Sequence, residues 1–222
     1  MVLVFDLDDT LYEERTYVAS GFRSVAQWLE TKFGWDRALT YQTMTEVLGT
    51  EGRGRVFDRL LERQGRFSKT LVRQCVNVYR NHTPEIQLWP AAQDLLSGLA
   101  GCHLYLVTDG HKVAQARKVQ ALGIERRFQR IYLTHRYGLR NAKPSTHCFE
   151  LIRAREARPL KEMVYVADNP AKDFVGLKPL GMQTVRVLTG IYRDSVAAPG
   201  YDAQYRIDDL RSLPSLLQGI RV

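Results

Sequence analysis

Five short apolar runs recur along the chain, and their length limits the fold more than any other feature. They lie at residues 2–7, 104–108, 131–133, 163–167 and 184–188 and are rich in Val, Leu and Ile. Runs this short suit strands covered on both faces. Helical spacing fills the intervals between them. Val113, Ala116, Val119 and Gln120 follow Gly110, and the pattern stops at Gly123, a residue suited to the left-handed cap of a helix. Pro144, Ser145 and Thr146 open another helix, with Phe149, Leu151 and Ile152 as its apolar positions. Strands alternating with helices predict an α/β fold with a parallel sheet and right-handed crossovers.

One stretch breaks the rhythm. Residues 13–88 contain no convincing strand. Phe22, Val25, Leu29 and Phe33 are spaced by three or four, as are Val56, Phe57, Leu60 and Leu61, and then Val72, Cys75, Val76 and Tyr79. These are amphipathic helices, and residues 49–55, with three glycines, read as a loop between two of them. An insertion this long is no ordinary βα connection. The simplest division is an α/β core at 1–12 and 89–222 and an all-helical domain at 13–88.

Composition narrows the setting. A chain of 222 residues, 45% hydrophobic and 25% charged, has enough material for a packed core and does not read as disordered. Cys75, Cys102 and Cys148 are far apart and form no CxxC, so they read as reduced thiols of a cytoplasmic protein. The opening residues carry no basic leader and read as a strand, not a signal peptide. No apolar run approaches the roughly 20 residues of a membrane helix. The net charge of +8 reads first as a solvated basic surface and second as attraction for a small anionic substrate. Nucleic acid comes last, because the basic residues look scattered and no nucleic-acid motif accompanies them. Nothing in the sequence marks an oligomeric state.

Four motifs carry chemistry. Asp6-Leu7-Asp8-Asp9-Thr10 ends the first strand. Alternation along a strand would set Asp6 and Asp8 side by side beyond the carboxyl edge of the sheet, where ligands bind in open α/β folds. Two such carboxylates repel unless a hard cation such as Mg2+ joins them. Thr108, with Asp109 and Gly110, stands at a second strand end and could hold a phosphate oxygen or simply cap a helix. Lys143-Pro144 could neutralise a phosphate, although a lone Lys-Pro is usually a surface feature. Asp168 and Asp173 follow a further strand; Asp168 could complete a metal site begun by Asp6, and Asp173 could act through water or orient its neighbours.

In this order, each at a strand end, the motifs resemble the haloacid dehalogenase (HAD) superfamily of phosphohydrolases. The resemblance covers nearly the whole chain. It implies a Rossmann-like parallel-sheet core with an inserted all-helical cap, placed as in subfamily I. From Thr108 to about Tyr192 the chain looks most like the nucleotide and acylneuraminate phosphatase branch.

The resemblance also implies roles. Asp6 matches the nucleophile, which forms an aspartyl-phosphate, and Asp8 the general acid/base. An aspartate at position 8 favours phosphoryl transfer over dehalogenation. Mg2+ would be held by Asp6, Asp8 through its backbone carbonyl, and Asp168. Thr108, Asp109 and Lys143 would bind the phosphoryl group, Asp109 mainly through its N–H. Thr10 and Asp173 would support the site. Ala167 stands where relatives often have Gly, and Asp109 where many have Asn. A cap would exclude water and contact substrate, with Arg15, Arg53, Arg55, Arg59 and Lys69 as candidates. The expected activity is Mg2+-dependent hydrolysis of a small phosphorylated metabolite. A phosphomutase and a non-catalytic binding protein are the alternatives. Phosphonate hydrolysis would need a cap lysine, and Lys32 and Lys69 have no recognisable context for it.

Overall fold

A computed structural model describes residues 1–220. In chain order its elements are β1 (Val2–Phe5), α1 (Glu14–Phe33), α2 (Arg37–Glu51), α3 (Val56–Arg63), α4 (Lys69–Asn81), α5 (Pro90–Gly98), β2 (His103–Thr108), α6 (Lys112–Leu122), β3 (Arg130–Leu133), α7 (His147–Glu156), β4 (Met163–Ala167), β5 (Gln183–Val187), β6 (Tyr205–Ile207) and α8 (Leu213–Gly219). The six strands form one parallel sheet in the order β3-β2-β1-β4-β5-β6, the parallel α/β architecture that the apolar runs predict and the Rossmann-like core that the resemblance implies. β1 and β4 are buried along their whole length, which is why they read as unbroken apolar runs. On one face Val4, Tyr105, Val107, Phe149, Met163 and Tyr165 belong to a single buried cluster. Each Val or Met side chain so buried contributes about 1.5–3 kcal/mol.

The chain divides into two compact units, Met1–Glu14 with the chain from Ile86 onward, and Arg15–Glu85. The second unit is helical. Phe22, Val25, Leu29, Met44, Leu60 and Cys75 are among the residues of its own apolar core. Its surface carries ion pairs from Arg59 to Glu51 at 2.6 Å and to Glu62 at 2.8 Å, and from Arg55 to Glu62 at 3.3 Å. Two of the arginines expected to meet substrate are therefore engaged with acids of their own unit.

Several boundaries differ from the sequence expectation. β1 stops at Phe5 rather than residue 7, because the chain turns there, with the Leu11 N–H donating to the Leu7 carbonyl. α2 was not anticipated. Its apolar contacts, Met44 and Val47, are separated by Thr and Glu, and the expected loop at 49–55 begins only after Glu51. α7 starts at His147, with Pro144 in the preceding loop instead of the first turn. β6 also escaped, being three residues long with an arginine at its centre. Among the described residues no helix is long and apolar enough to cross a membrane.

Candidate active site

The chain runs outward from β1 to β2 and β3, then returns to place β4 on the other side of β1. That reversal opens a crevice at the carboxyl ends of β1 and β4. Asp6 follows β1 directly, and its N–H donates to the Val166 carbonyl of β4 at 2.9 Å. Asp168 follows β4, and Thr108 ends β2. Parallel pairing thus brings three of the four motifs to one edge.

There Asp6, Asp168 and Asp173, all buried, have carboxylate oxygens within 4.8 Å of one another. Lys143 Nζ lies 2.5 Å from Asp6 Oδ1 and 2.9 Å from Asp173 Oδ1. Asp173 also accepts from the Tyr165 hydroxyl at 3.0 Å and the Asn169 N–H at 3.1 Å. Gly176 lets this loop approach, since a Cβ there would stand 2.2 Å from the Pro144 carbonyl oxygen. Burial opposes the charge on Lys143, but Asp173, Asp6 and Asp109 outweigh it and hold the ammonium protonated.

Lys143, even with Lys172 acting on Asp6 and Asp173 beside it, does not balance the clustered carboxylates. Burial, offset partly by Lys143, pushes the Asp6 carboxyl up to about 7. Burial, with Asp6 and Asp173 adding repulsion, pushes Asp168 up to about 9. Among the described residues no donor hydrogen-bonds the Asp168 carboxylate. An oxygen-only donor set in a buried, under-neutralised cluster fits a hard divalent cation such as Mg2+. The sequence expectation named Asp6, Asp168 and the backbone carbonyl of Asp8 as the ligands; the carboxylate cluster contains Asp6 and Asp168 and adds Asp173. Both Asp6 and Asp8 lie just beyond β1, which ends at Phe5, and Asp8 adds repulsion at the Asp6 carboxylate.

Asp8 turns instead toward α6. Its carboxylate accepts from Lys118 Nζ at 2.7 Å, from Gln115 Nε2 at 2.7 Å and from the Tyr12 hydroxyl at 2.5 Å. Burial raises the Asp8 pKa, but the Lys118 charge and these hydrogen bonds together hold it below the ordinary carboxylate value. Lys118, Gln115 and Tyr12 did not stand out in the sequence. The one available signal was a lysine between Ala114 and Val119 on the buried side of a helix, where a charge needs a partner.

Thr108 is fully buried, and its hydroxyl accepts from Gln115 Nε2 at 2.8 Å, so its recorded side-chain contact links it to the Asp8 group rather than to Lys143. The Asp109 carboxylate accepts from the Thr134 hydroxyl at 2.5 Å and the Lys143 N–H at 3.1 Å, with Lys172 Nζ 3.5 Å away. It therefore braces the Lys143 loop. Thr10 is buried without a hydrogen-bond partner for its hydroxyl. Asp9 adopts φ +53° and accepts from the N–H groups of Glu14 at 2.9 Å and Ile191 at 3.4 Å, tying the motif to the loop after β5. Gly190 is required in that loop, because its φ is +61° and a Cβ would stand 2.2 Å from the Asp9 side chain.

The chain resembles known proteins over most of its length. The chain is 28% identical to the glyceraldehyde 3-phosphate phosphatase of Methanocaldococcus jannaschii over 226 residues, covering 99% of this chain and 97% of the relative. It is 30% identical over 205 residues to the enzyme of that name from Methanopyrus kandleri, covering 86% and 85%. A HAD hydrolase of Bacillus subtilis, solved bound to magnesium, shares the fold with a TM-score of 0.72 at 19% identity, with 97% of each chain covered. The haloacid dehalogenase-like hydrolase model matches residues 1–181, and with the strand-end carboxylates and lysine in place the chain belongs to the haloacid dehalogenase-like hydrolase family.

Proposed function

We propose that this hydrolase is a Mg2+-dependent phosphomonoesterase acting on a small phosphorylated metabolite through an aspartyl-phosphate on Asp6. The observation that carries the reading is the Asp6 carboxylate, set between the Lys143 ammonium and the oxygens of Asp168 and Asp173. Asp6 attacks phosphorus. The ester P–O bond breaks, and Asp8 supplies the proton to the departing alkoxide. Water then attacks the phosphorus, Asp8 takes its proton, and Asp6 is released with inorganic phosphate. At rest the Asp8 partners favour its carboxylate, the form suited to the second step. The incoming phosphate dianion raises its proton affinity for the first. Lys143 holds a phosphoryl oxygen, and Thr108 and the Asp109 N–H position the group. Asp6, Asp168 and Asp173 would hold Mg2+, which when bound neutralises charge on the phosphoryl oxygens.

The names of the two archaeal relatives make glyceraldehyde 3-phosphate the first substrate to try. The test is a panel of phosphate esters incubated with Mg2+ and assayed for inorganic phosphate. Release from at least one three-carbon ester is expected. No release from any ester would overturn the reading, and migration of phosphate within a substrate without release would make the enzyme a mutase.

The same assay examines Asp8. In Lys118→Met the largest charge stabilising the Asp8 carboxylate is gone, so its pKa rises. Asp8 must carry the proton that it gives the departing alkoxide in the step kcat/KM reports, so the basic limb of the kcat/KM profile is expected to move up by about one pH unit. An unmoved limb would show that ionisation of Asp8 does not govern turnover.

A further inference from the structure

We propose that a groove on the outer face of α6 binds a small anion bearing several phosphate or carboxylate groups, at a place separate from the Asp6 site. The groove has a volume of about 420 Å³ and is lined by Lys112, Val113, Ala116, Arg117, Gln120 and Arg136. Four of these recur along α6 at intervals of three, one and three, which makes a single stripe. Gln115 and Lys118, which hold Asp8, project from the opposite side of the same helix.

Charge is what points to the occupant of the groove. Lys112, Arg117 and Arg136 are exposed, and among the described residues no carboxylate pairs with any of them. Some arginines elsewhere, such as Arg59, Arg63 and Arg153, do have acidic partners. Residues 111–140 carry eight Lys and Arg against the single acid Glu125. Three of those eight, Lys112, Arg117 and Arg136, line the groove, while the remaining basic residues are spread along the chain as the sequence suggested. Three like charges facing one cavity repel one another, and an anion with two or more charged groups relieves that repulsion. Two guanidinium groups can grip phosphate or carboxylate in bidentate fashion. The volume falls in the range of small-ligand pockets, roughly 300–1,000 Å³. Val113 and Ala116 give it an apolar floor, and Gln120 adds an amide donor. No aromatic ring lines it, and single-stranded nucleic acid depends on such rings for stacking. A compact polyanion is the occupant these features select.

The experiment is calorimetric titration of the full-length protein with inorganic tripolyphosphate, alongside the double variant Arg117→Gln/Arg136→Gln. Both positions are exposed, so the fold is expected to survive, and kcat/KM on the best phosphate ester is expected to stay at the parent value. Binding at one site in the parent protein, weakened about tenfold or more in the variant, supports the groove. Equal affinity in the two proteins would assign all tripolyphosphate binding elsewhere and overturn the proposal. It would fail equally if a 12-nucleotide single-stranded RNA displaced tripolyphosphate at lower concentration and lost affinity in an Arg126→Gln/Arg127→Gln variant. The groove would then be part of a nucleic-acid surface. None of these outcomes depends on whether the Asp6 site hydrolyses esters.

Discussion

Asp6→Asn is expected to lower kcat/KM on the best phosphate ester by at least about 10⁴-fold, because an amide oxygen is a far poorer nucleophile than a carboxylate. The same substitution is expected to leave the metal-free protein at least as stable as its parent. Asparagine keeps the shape of the side chain and an oxygen that can accept from Lys143 Nζ. Lys143 keeps its second partner, Asp173, at 2.9 Å. Burial already disfavours the Asp6 charge, and Asp173 and Asp8 add repulsion, so removing it relieves strain in the cluster. Activity and thermal unfolding measured on one preparation separate the two effects. Loss of activity with an unchanged or raised melting temperature is the expected pair. Retention of more than about 1% of activity would remove Asp6 from the nucleophile role.

The parts of this site that could be read from the sequence are those the backbone places unaided. A parallel sheet brings the residues after each strand to one edge, so Asp6, Thr108 and Asp168 could be put there from apolar runs and motif order alone. Lys143 lies in a loop and became legible only through its place in that order. Its pairing with Asp6 and Asp173 is a tertiary fact. Asp173 was expected to act at one remove and instead lies within the carboxylate cluster, because the 168–177 loop folds back against Pro144. Gln115 and Lys118 were missed for another reason. Mid-helix polar residues are common, and nothing local shows that this pair is buried at 1% and 4% exposure beneath Asp8. The fold was legible where strands are central and continuous in apolar character. It was not legible at β6, whose three residues are too few to show a period, or at α2, whose threonines break its apolar stripe.

Removing Mg2+ is expected to abolish turnover and to reverse the pH dependence of stability around the carboxylate cluster. Asp6 and Asp168 have folded-state pKa values near 7 and 9, raised from the ordinary 3.8. Between about pH 4 and pH 9 the folded metal-free protein therefore holds protons that the unfolded chain has released. Stability from these groups is fully present below their ordinary value and is lost as pH rises through 7 and then 9. A divalent cation works in the opposite sense, since it binds the deprotonated cluster and competes with those protons. The gain from the ion should grow with pH, reaching about 2.7 kcal/mol when Mg2+ stands at a hundred times its dissociation constant. For a chain of this size that corresponds to a rise of roughly 5–10 °C in Tm. Melting curves in chelator and in Mg2+ from pH 5 to pH 9 measure the difference directly. Asp168→Asn is the control, because it removes the group with the larger shift and should flatten the metal-free decline while abolishing most of the Mg2+ gain. Equal melting temperatures with and without Mg2+ at pH 9 would show that these three carboxylates do not hold the ion.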